Sequence, residues 1–208
     1  MSTSDAILSL KAELRAAMNG IASKTIRESG MGYRLVFGVE LPRLRQIAHD
    51  FIVESEPTHA ERRHLAIALW QEDIRECRML AIMLYPIEDF DREMAALWVE
   101  RITPEQAELA QLMAMDLLCH EPYAPDLAFC WIADEREMFQ LCGFLTLTRL
   151  LMNGAELSPQ AEAEFLDQAA AALKAPYQPL RKAVQNALLR FGEQSDKAAQ
   201  IIHHILCT

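Results

Sequence analysis

Apolar residues recur at helical spacing along almost the whole 208-residue chain. After Pro42, Leu44, Ile47, Ala48, Phe51 and Ile52 fall at i, i+3, i+4, i+7 and i+8, while Arg43, Arg45, Gln46, His49 and Asp50 fill the other side. This predicts one helix with a single buried stripe, and Pro42 suits its first turn, where a missing N–H has no intrahelical partner to lose. The same periodicity runs through Ile7, Leu8, Leu10, Leu14 and Met18, through Leu65, Ala68 and Leu69, and through Ala198, Ile201, Ile202 and Ile205. Alternation at period two is nearly absent. Only the segment "YRLVFGVEL" (residues 33–41) has the composition of an extended stretch, and it leads into the Pro42 helix.

Start and stop signals bracket these runs. Ser4-Asp5, Thr58-His-Ala-Glu61, Asp73-Ile-Arg-Glu76, Thr103-Pro-Glu-Gln106, Ser158-Pro-Gln-Ala161 and Ser195-Asp196 read as helix N-termini, the second and third as capping boxes. Pro86, Pro122, Asn153-Gly154, Pro176 and Gly192 read as stops. About ten helices of roughly 10–18 residues result, joined by short connections with no Ser/Gly linker, so one domain over residues 1–208 is expected. Starts pair at intervals of roughly 30–40 residues, close to the period of HEAT and armadillo arrays. Two segments, Cys77–Leu84 and Phe139–Leu151, are apolar almost all round, as helices sandwiched between neighbouring pairs must be. The expected fold is all-α, a right-handed α-solenoid of HEAT-like helical pairs, with a compact helical bundle as the alternative.

Composition narrows the classes of function. Hydrophobic residues make up 51% of the chain, which marks a folded protein with a sizeable core. The N-terminal stretch has charges within its apolar pattern and no basic n-region, so it does not read as a signal peptide. No uncharged apolar run approaches the roughly 18 residues of a membrane span, and a cytoplasmic protein without membrane contact is expected. The net charge of −10 argues against a body coated in basic residues for non-specific nucleic-acid binding. A local basic surface is still compatible with it. Residues 1–104 carry 13 Lys/Arg against 16 Asp/Glu and residues 105–208 carry 7 against 14, which places that surface in the first half.

Candidate chemistry is sparse. Cys77, Cys119, Cys130, Cys142 and Cys207 form an odd set with no C-x-x-C pair and read as reduced, mostly core residues. The adjacent His203 and His204 point about 100° apart on a helix and make a poor chelate. No P-loop, dinucleotide fingerprint, zinc spacing or Ser/His/Asp signature is present, so no metal and no cofactor are expected. One residue stands out: Asp116, in "QLMAMDLLCH", lies among Leu112, Met113, Met115, Leu117 and Leu118, where an unpaired charge is costly to bury. A narrow polar stripe or an internal ion pair is the structural alternative.

Four segments in register carry a family resemblance. "FGVELPRLRQIAHDF", "LAIALWQEDIRECRMLAIMLY", "WIADEREMFQLCGFLTLTRLL" and "LRKAVQNALLRFGEQSDKAAQII" resemble, in the same order, the motifs of the AlkD-type DNA alkylation repair proteins, over roughly residues 30–206. That resemblance implies a HEAT-like solenoid binding damaged duplex DNA in a concave groove. It implies in addition the release of cationic alkylpurines by hydrolysis of the N-glycosidic bond. An alkylated purine leaves as a neutral base, so one carboxylate that stabilises positive charge on the deoxyribose and orients water can suffice. Asp116 matches that carboxylate. Its companions depart from the family pattern: Leu112 and Met138 stand where the family has Trp, Gln140 and Leu141 where it has an Arg pair, Asn186 where it has a further Trp, and Glu40 where it has Arg. Each lost cation–π contact forfeits about 0.5–2 kcal/mol, and Gln is a weak substitute for a bidentate Arg. Arg43, Arg45, Arg62, Arg63, Arg75, Arg78, Arg181, Lys182 and Arg190 remain as candidate phosphate contacts, with solvated faces paired to nearby acids as the alternative. Two functions follow: a DNA alkylation repair protein with Asp116 as its catalytic group, or a non-catalytic helical scaffold whose groove holds a protein or peptide.

Overall fold

The computed structural model describes residues Ser2 to Cys207, with the side chains of Leu206 and Cys207 excepted. The described residues form twelve α-helices in two compact units, Met1–Asp91 and Arg92–Thr208. Two more helices are present than the roughly ten expected, because short helices also begin at Gly20 and at Ala124, where the sequence carries no strong start signal.

In the first unit, α1 (Thr3–Ala16), α2 (Gly20–Glu28), α3 (Leu41–Ser55), α4 (His59–Trp70) and α5 (Arg75–Leu84) precede a 3-10 turn at Ile87–Asp89. Helices α4 and α5 form a hairpin; α4 packs on α1 and α5 on α3. Two helix pairs are therefore stacked in register, each helix meeting its counterpart in the next pair. The predicted stripe of α3 is buried as expected at Leu44, Ile47, Ala48 and Phe51. Thr58 and Glu61 form the predicted capping box, each side chain reaching the other residue's backbone N–H.

The Asp73–Glu76 pair behaves differently. Helix α5 starts at Arg75 with Ile74 as its cap and no side-chain cap bond, so no capping box forms there. Glu76 is instead fully buried and accepts from the backbone N–H groups of Phe37 at 2.9 Å, Gly38 at 2.8 Å and Val39 at 3.3 Å. Three successive amides wrap one carboxylate, the kind of concavity that holds an anion. Gly38 makes it practicable. Its φ is +76°, and a Cβ there would lie 2.4 Å from Ser23 N and 2.5 Å from Asn19 O. The neighbouring bridge between Leu35 and Ile74 is the extended element foreseen in residues 33–41.

The second unit holds α6 (Arg92–Val99), α7 (Ala107–Asp116), α8 (Ala124–Ile132), α9 (Glu137–Met152), α10 (Pro159–Ala172), α11 (Gln178–Gly192) and α12 (Asp196–Cys207). Thr103 provides the predicted cap at a 3-10 turn that leads into α7, with Gln106 adding a reciprocal bond that was not expected, and Ser158 caps α10 by accepting from Ala161 N. Helix α9 is central: α7, α8 and α11 all pack on it, while α10 meets α8 and α11. The rows α7–α9–α11 and α8–α10 again stack pair upon pair. Gly143 permits the α8–α9 contact, since a Cβ would sit 2.8 Å from Ile132 N and 2.9 Å from Ala128 O. The nearly uniform apolarity of α9 follows from having neighbours on three sides: Phe139, Leu141, Cys142, Phe144, Thr146, Leu147 and Leu151 are all buried. Trp131 stacks edge-on against Phe139 with ring centroids 5.4 Å apart, which makes it a core anchor.

Candidate nucleic-acid interface

Several of the candidate cations hold the fold together. Arg75 is largely buried and donates to Val39 O at 3.4 Å and to Glu76 Oε1 at 3.3 Å, so it helps to fix the loop that Glu76 cradles. Arg62 donates to Leu84 O, at the end of α5. Arg78 donates to Glu72 O and lies 5.8 Å from the centre of the Trp70 ring. Arg181 donates to Ala175 O at 2.6 Å and to Pro176 O at 2.8 Å, closing the connection between α10 and α11. Each of these satisfies a carbonyl left over at a helix end or in a joint.

Others face solvent. Arg43 and Arg45 are exposed on α3, with Arg43 at 3.9 Å from Glu13 in a loose surface pair. Lys182, Asn186 and Arg190 are exposed at four-residue spacing along α11 and form one stripe. Arg190 Nη1 reaches both carboxylate oxygens of Glu193 at 2.9 Å, an exposed pair of the kind that contributes only about 0.3–0.5 kcal/mol.

The positions that depart from the family pattern separate in the same way. Leu112 is buried within α7, and Met138 is half-buried. Gln140 turns its side-chain amide back onto Asp134 O at 2.8 Å, while Leu141 is buried. Glu40 is exposed at the cap of α3. Of this group, Asn186 lines a cleft.

That cleft, of about 220 Å³, opens among α7, α9 and α11. Gln111 and Ala114 line it from α7, Leu145, Thr148, Arg149 and Met152 from α9, and Asn186 and Arg190 from α11. Arg149 was not singled out from the sequence. The signal was there: Glu137 and Arg149 are the only charged residues in the sixteen of α9. The same reasoning that singles out Asp116 applies to this cation, an isolated charge in an apolar helix.

Asp116 closes α7, and the chain leaves the helix at Leu117, with φ −122° and ψ −68°. The residue is half-buried, with Oδ2 sealed from solvent, and is not among the residues lining the cleft. A 3-10 turn at Leu118–His120 folds back over the helix end. Cys119 Sγ donates to Met115 O at 3.3 Å, and His120 Nε2 lies 3.2 Å from the same oxygen. Burial pushes the Cys119 thiol above its ordinary range; the Arg149 guanidinium opposes that rise and the Asp116 carboxylate adds to it. Asp116, Cys119 and Arg149 thus share one electrostatic neighbourhood. A carboxylate in this position lies at the negative end of its helix dipole.

A second and larger cleft, about 550 Å³, lies between α11 and α12 and is mostly apolar, with Leu189, Ala199 and Ile202 beside Arg190, Glu193 and His203. Among the described residues no group of three or more His, Cys, Asp or Glu side chains could hold a metal ion, and no helix is long and apolar enough to cross a membrane.

Stacked helix pairs in both units, with a cation-bearing cleft in the second, define an all-α repeat protein. Comparison with solved structures agrees. The chain superposes with a TM-score of 0.78 on a member of a family of proteins related to the HEAT-like repeat DNA glycosylases and described as having affinity for branched DNA structures. The two are 18% identical, and the match covers 95% of this chain and 80% of the other. The fold is therefore the HEAT-like repeat. The family model for DNA alkylation repair enzymes matches residues 10–201, and the chain belongs to that family. No curated protein matches it.

Proposed function

We propose that this protein binds DNA, duplex or branched, through phosphate contacts from exposed cations. The stripe of Lys182, Asn186 and Arg190 along α11 is the observation that carries this reading. It lies within the matched family region and presents donors to solvent, whereas Arg75 and Arg181 are engaged with backbone carbonyls. Arg43 and Arg45 are the corresponding exposed donors of the first unit. Contacts of this kind fix position on the backbone without reading sequence. The structural relative's affinity for branched DNA supports including branched substrates.

Hydrolysis of the N-glycosidic bond of a cationic alkylpurine is the second reading, and the setting of Asp116 favours it. A half-buried carboxylate fixed at the end of a largely apolar helix suits a group held to stabilise a developing cation. Asp116 would face the growing positive charge on the deoxyribose and orient the attacking water. The missing aromatic companions weigh against fast turnover, since Leu112 and Gln140 serve packing and backbone satisfaction.

Two experiments separate these readings. Binding of a labelled duplex carrying a stable abasic-site mimic is measured at low and moderate salt, with a four-way junction in parallel. Steep weakening with salt is expected; absence of binding at low salt would remove DNA as the partner and leave a helical scaffold for a protein or peptide. Release of base from methylated DNA is then compared with Asp116→Asn. Loss of release in the variant supports the catalytic role, and equal release in both would dismiss Asp116 as the catalyst.

A further inference from the structure

We infer that the cleft among α7, α9 and α11 is a pocket for a single phosphate group, with Arg149 as its principal ligand and Arg190 as the second. The inference deepens the DNA-binding reading and rests on it for the source of the phosphate, which is a phosphodiester of a DNA strand. Its ground is composition. The chain carries 30 acidic residues against 20 basic ones, yet the lining of this cleft includes two arginines and no carboxylate. Gln111, Thr148 and Asn186 add neutral hydrogen-bonding groups, and no aromatic face is present.

Arg149 comes from an otherwise apolar stretch of helix, and among the described residues it forms no ion pair. A half-buried guanidinium retains unused donors in a fixed planar fork, which suits the oxygens of a phosphate. Arg190 holds its exposed partner Glu193 weakly enough for an anion to displace it. Asp116 shares a neighbourhood with Arg149 through Cys119 but does not line the cleft.

The same lining excludes the other ligand that the family suggests. A cationic alkylpurine placed here would meet two like charges and no π-face to hold it. The cleft selects the backbone rather than the base. Arg149 thereby supplies, two turns further along α9, a cation that Gln140 and Leu141 do not.

The test uses the full chain, labelled so that arginine Nε–Hε signals are resolved by NMR, with Arg149→Gln and Arg190→Gln for assignment. Inorganic phosphate is titrated at low ionic strength against a sodium chloride control of equal ionic strength. The expected result is saturable movement of the Arg149 and Arg190 signals with phosphate alone, and about tenfold weaker phosphate binding in Arg149→Gln. Equal drift of all exposed arginine signals, or equal affinity in the variant, would overturn the inference. A short duplex is then added in place of phosphate. Movement of the same two signals supports the phosphodiester as ligand. Duplex binding that leaves the Arg149 signal and the variant's affinity unchanged would reject the pocket while the DNA reading stands. Phosphate binding with no duplex binding would reject the DNA source and the DNA reading together, leaving a site for a small phosphorylated ligand. Circular dichroism of each variant confirms that the fold is retained.

Discussion

The two units differ in how many of their arginines are engaged with backbone carbonyls. Residues 1–91 carry 11 Lys/Arg against 14 Asp/Glu, and residues 92–208 carry 9 against 16, so the first unit is the less acidic. Yet Arg27, Arg62, Arg75 and Arg78 of the first unit all donate to backbone carbonyls, and Lys11 pairs with Glu72 at 2.8 Å. In the more acidic second unit, Arg149 lines an open cleft that contains no acid. A count of charges per segment therefore does not report how each guanidinium is engaged. What matters is whether a guanidinium is already satisfied by the end of a helix. The first unit engages four arginines with backbone carbonyls while Arg43 and Arg45 stay exposed, and the second engages Arg181 while Arg149 lines a cleft without acids.

The largest effect should come from breaking the lock. Glu76→Ala leaves the N–H groups of residues 37–39 without their buried acceptor and should cost about 3–5 kcal/mol, read as the shift in urea-denaturation free energy. A cost below about 1 kcal/mol would mean that the loop finds another acceptor and that the first unit is not organised around Glu76.

A smaller effect is expected from the helix contact that supports the cleft. Gly143→Ala places a methyl group against the backbone of α8 and should cost about 1–3 kcal/mol. Because α9 carries Arg149, the same variant should weaken DNA binding without removing any charge; unchanged affinity would show that the cleft tolerates displacement of α9.

Alkaline pH supplies a third and milder perturbation. Burial pushes the Cys77 thiol up to about 12, and burial together with nearby acids, Glu105 and Glu137 foremost, pushes the Tyr177 hydroxyl up to about 12. Both groups hold their protons in the fold at a pH where the unfolded chain has lost them. The stability they contribute is therefore full below about pH 8.5, the ordinary thiol range, and is lost as the pH rises towards 12. A decrease of about 1–2 kcal/mol between pH 8.5 and 10.5 is expected from urea titrations, and constant stability over that range would contradict the burial. Thiol alkylation at pH 8 should label the exposed Cys130 before Cys77 or Cys142, which need unfolding to react.

The smallest effect on stability belongs to the cleft itself. Arg149→Gln removes no hydrogen bond or ion pair formed among the described residues and should change the unfolding free energy by no more than about 0.5 kcal/mol. A large loss would assign Arg149 a structural role and erase the contrast between the units.

Much of the architecture was legible because it is local. Caps such as Thr58–Glu61, stops such as Gly192, and the stripe of α3 lie within single helices, where spacing along the chain is spacing in space. The pairing of helices followed from the apolar faces of α5 and α9. Glu76 shows where that logic ends. The spacing Asp73-x-x-Glu76 suits a capping box, but the carboxylate partners amides 37 to 39 positions away, a pairing that no local pattern encodes. Arg149 was passed over for a different reason. It lies two turns beyond the family positions at 138–141, and only its isolation among apolar residues marks it. Asp116 stands out in the sequence by that same isolation, but its place at the end of α7 depends on the 3-10 turn that follows it.

The contrast between the units is tested most directly by the salt dependence of duplex binding for the natural protein, Arg149→Gln and Arg62→Gln. Each phosphate contact adds roughly one unit to the slope of log affinity against log salt. The account predicts a slope reduced by about one in Arg149→Gln and unchanged in Arg62→Gln, whose guanidinium is occupied by Leu84 O. An unchanged slope in Arg149→Gln, or an equal reduction in both variants, would contradict it.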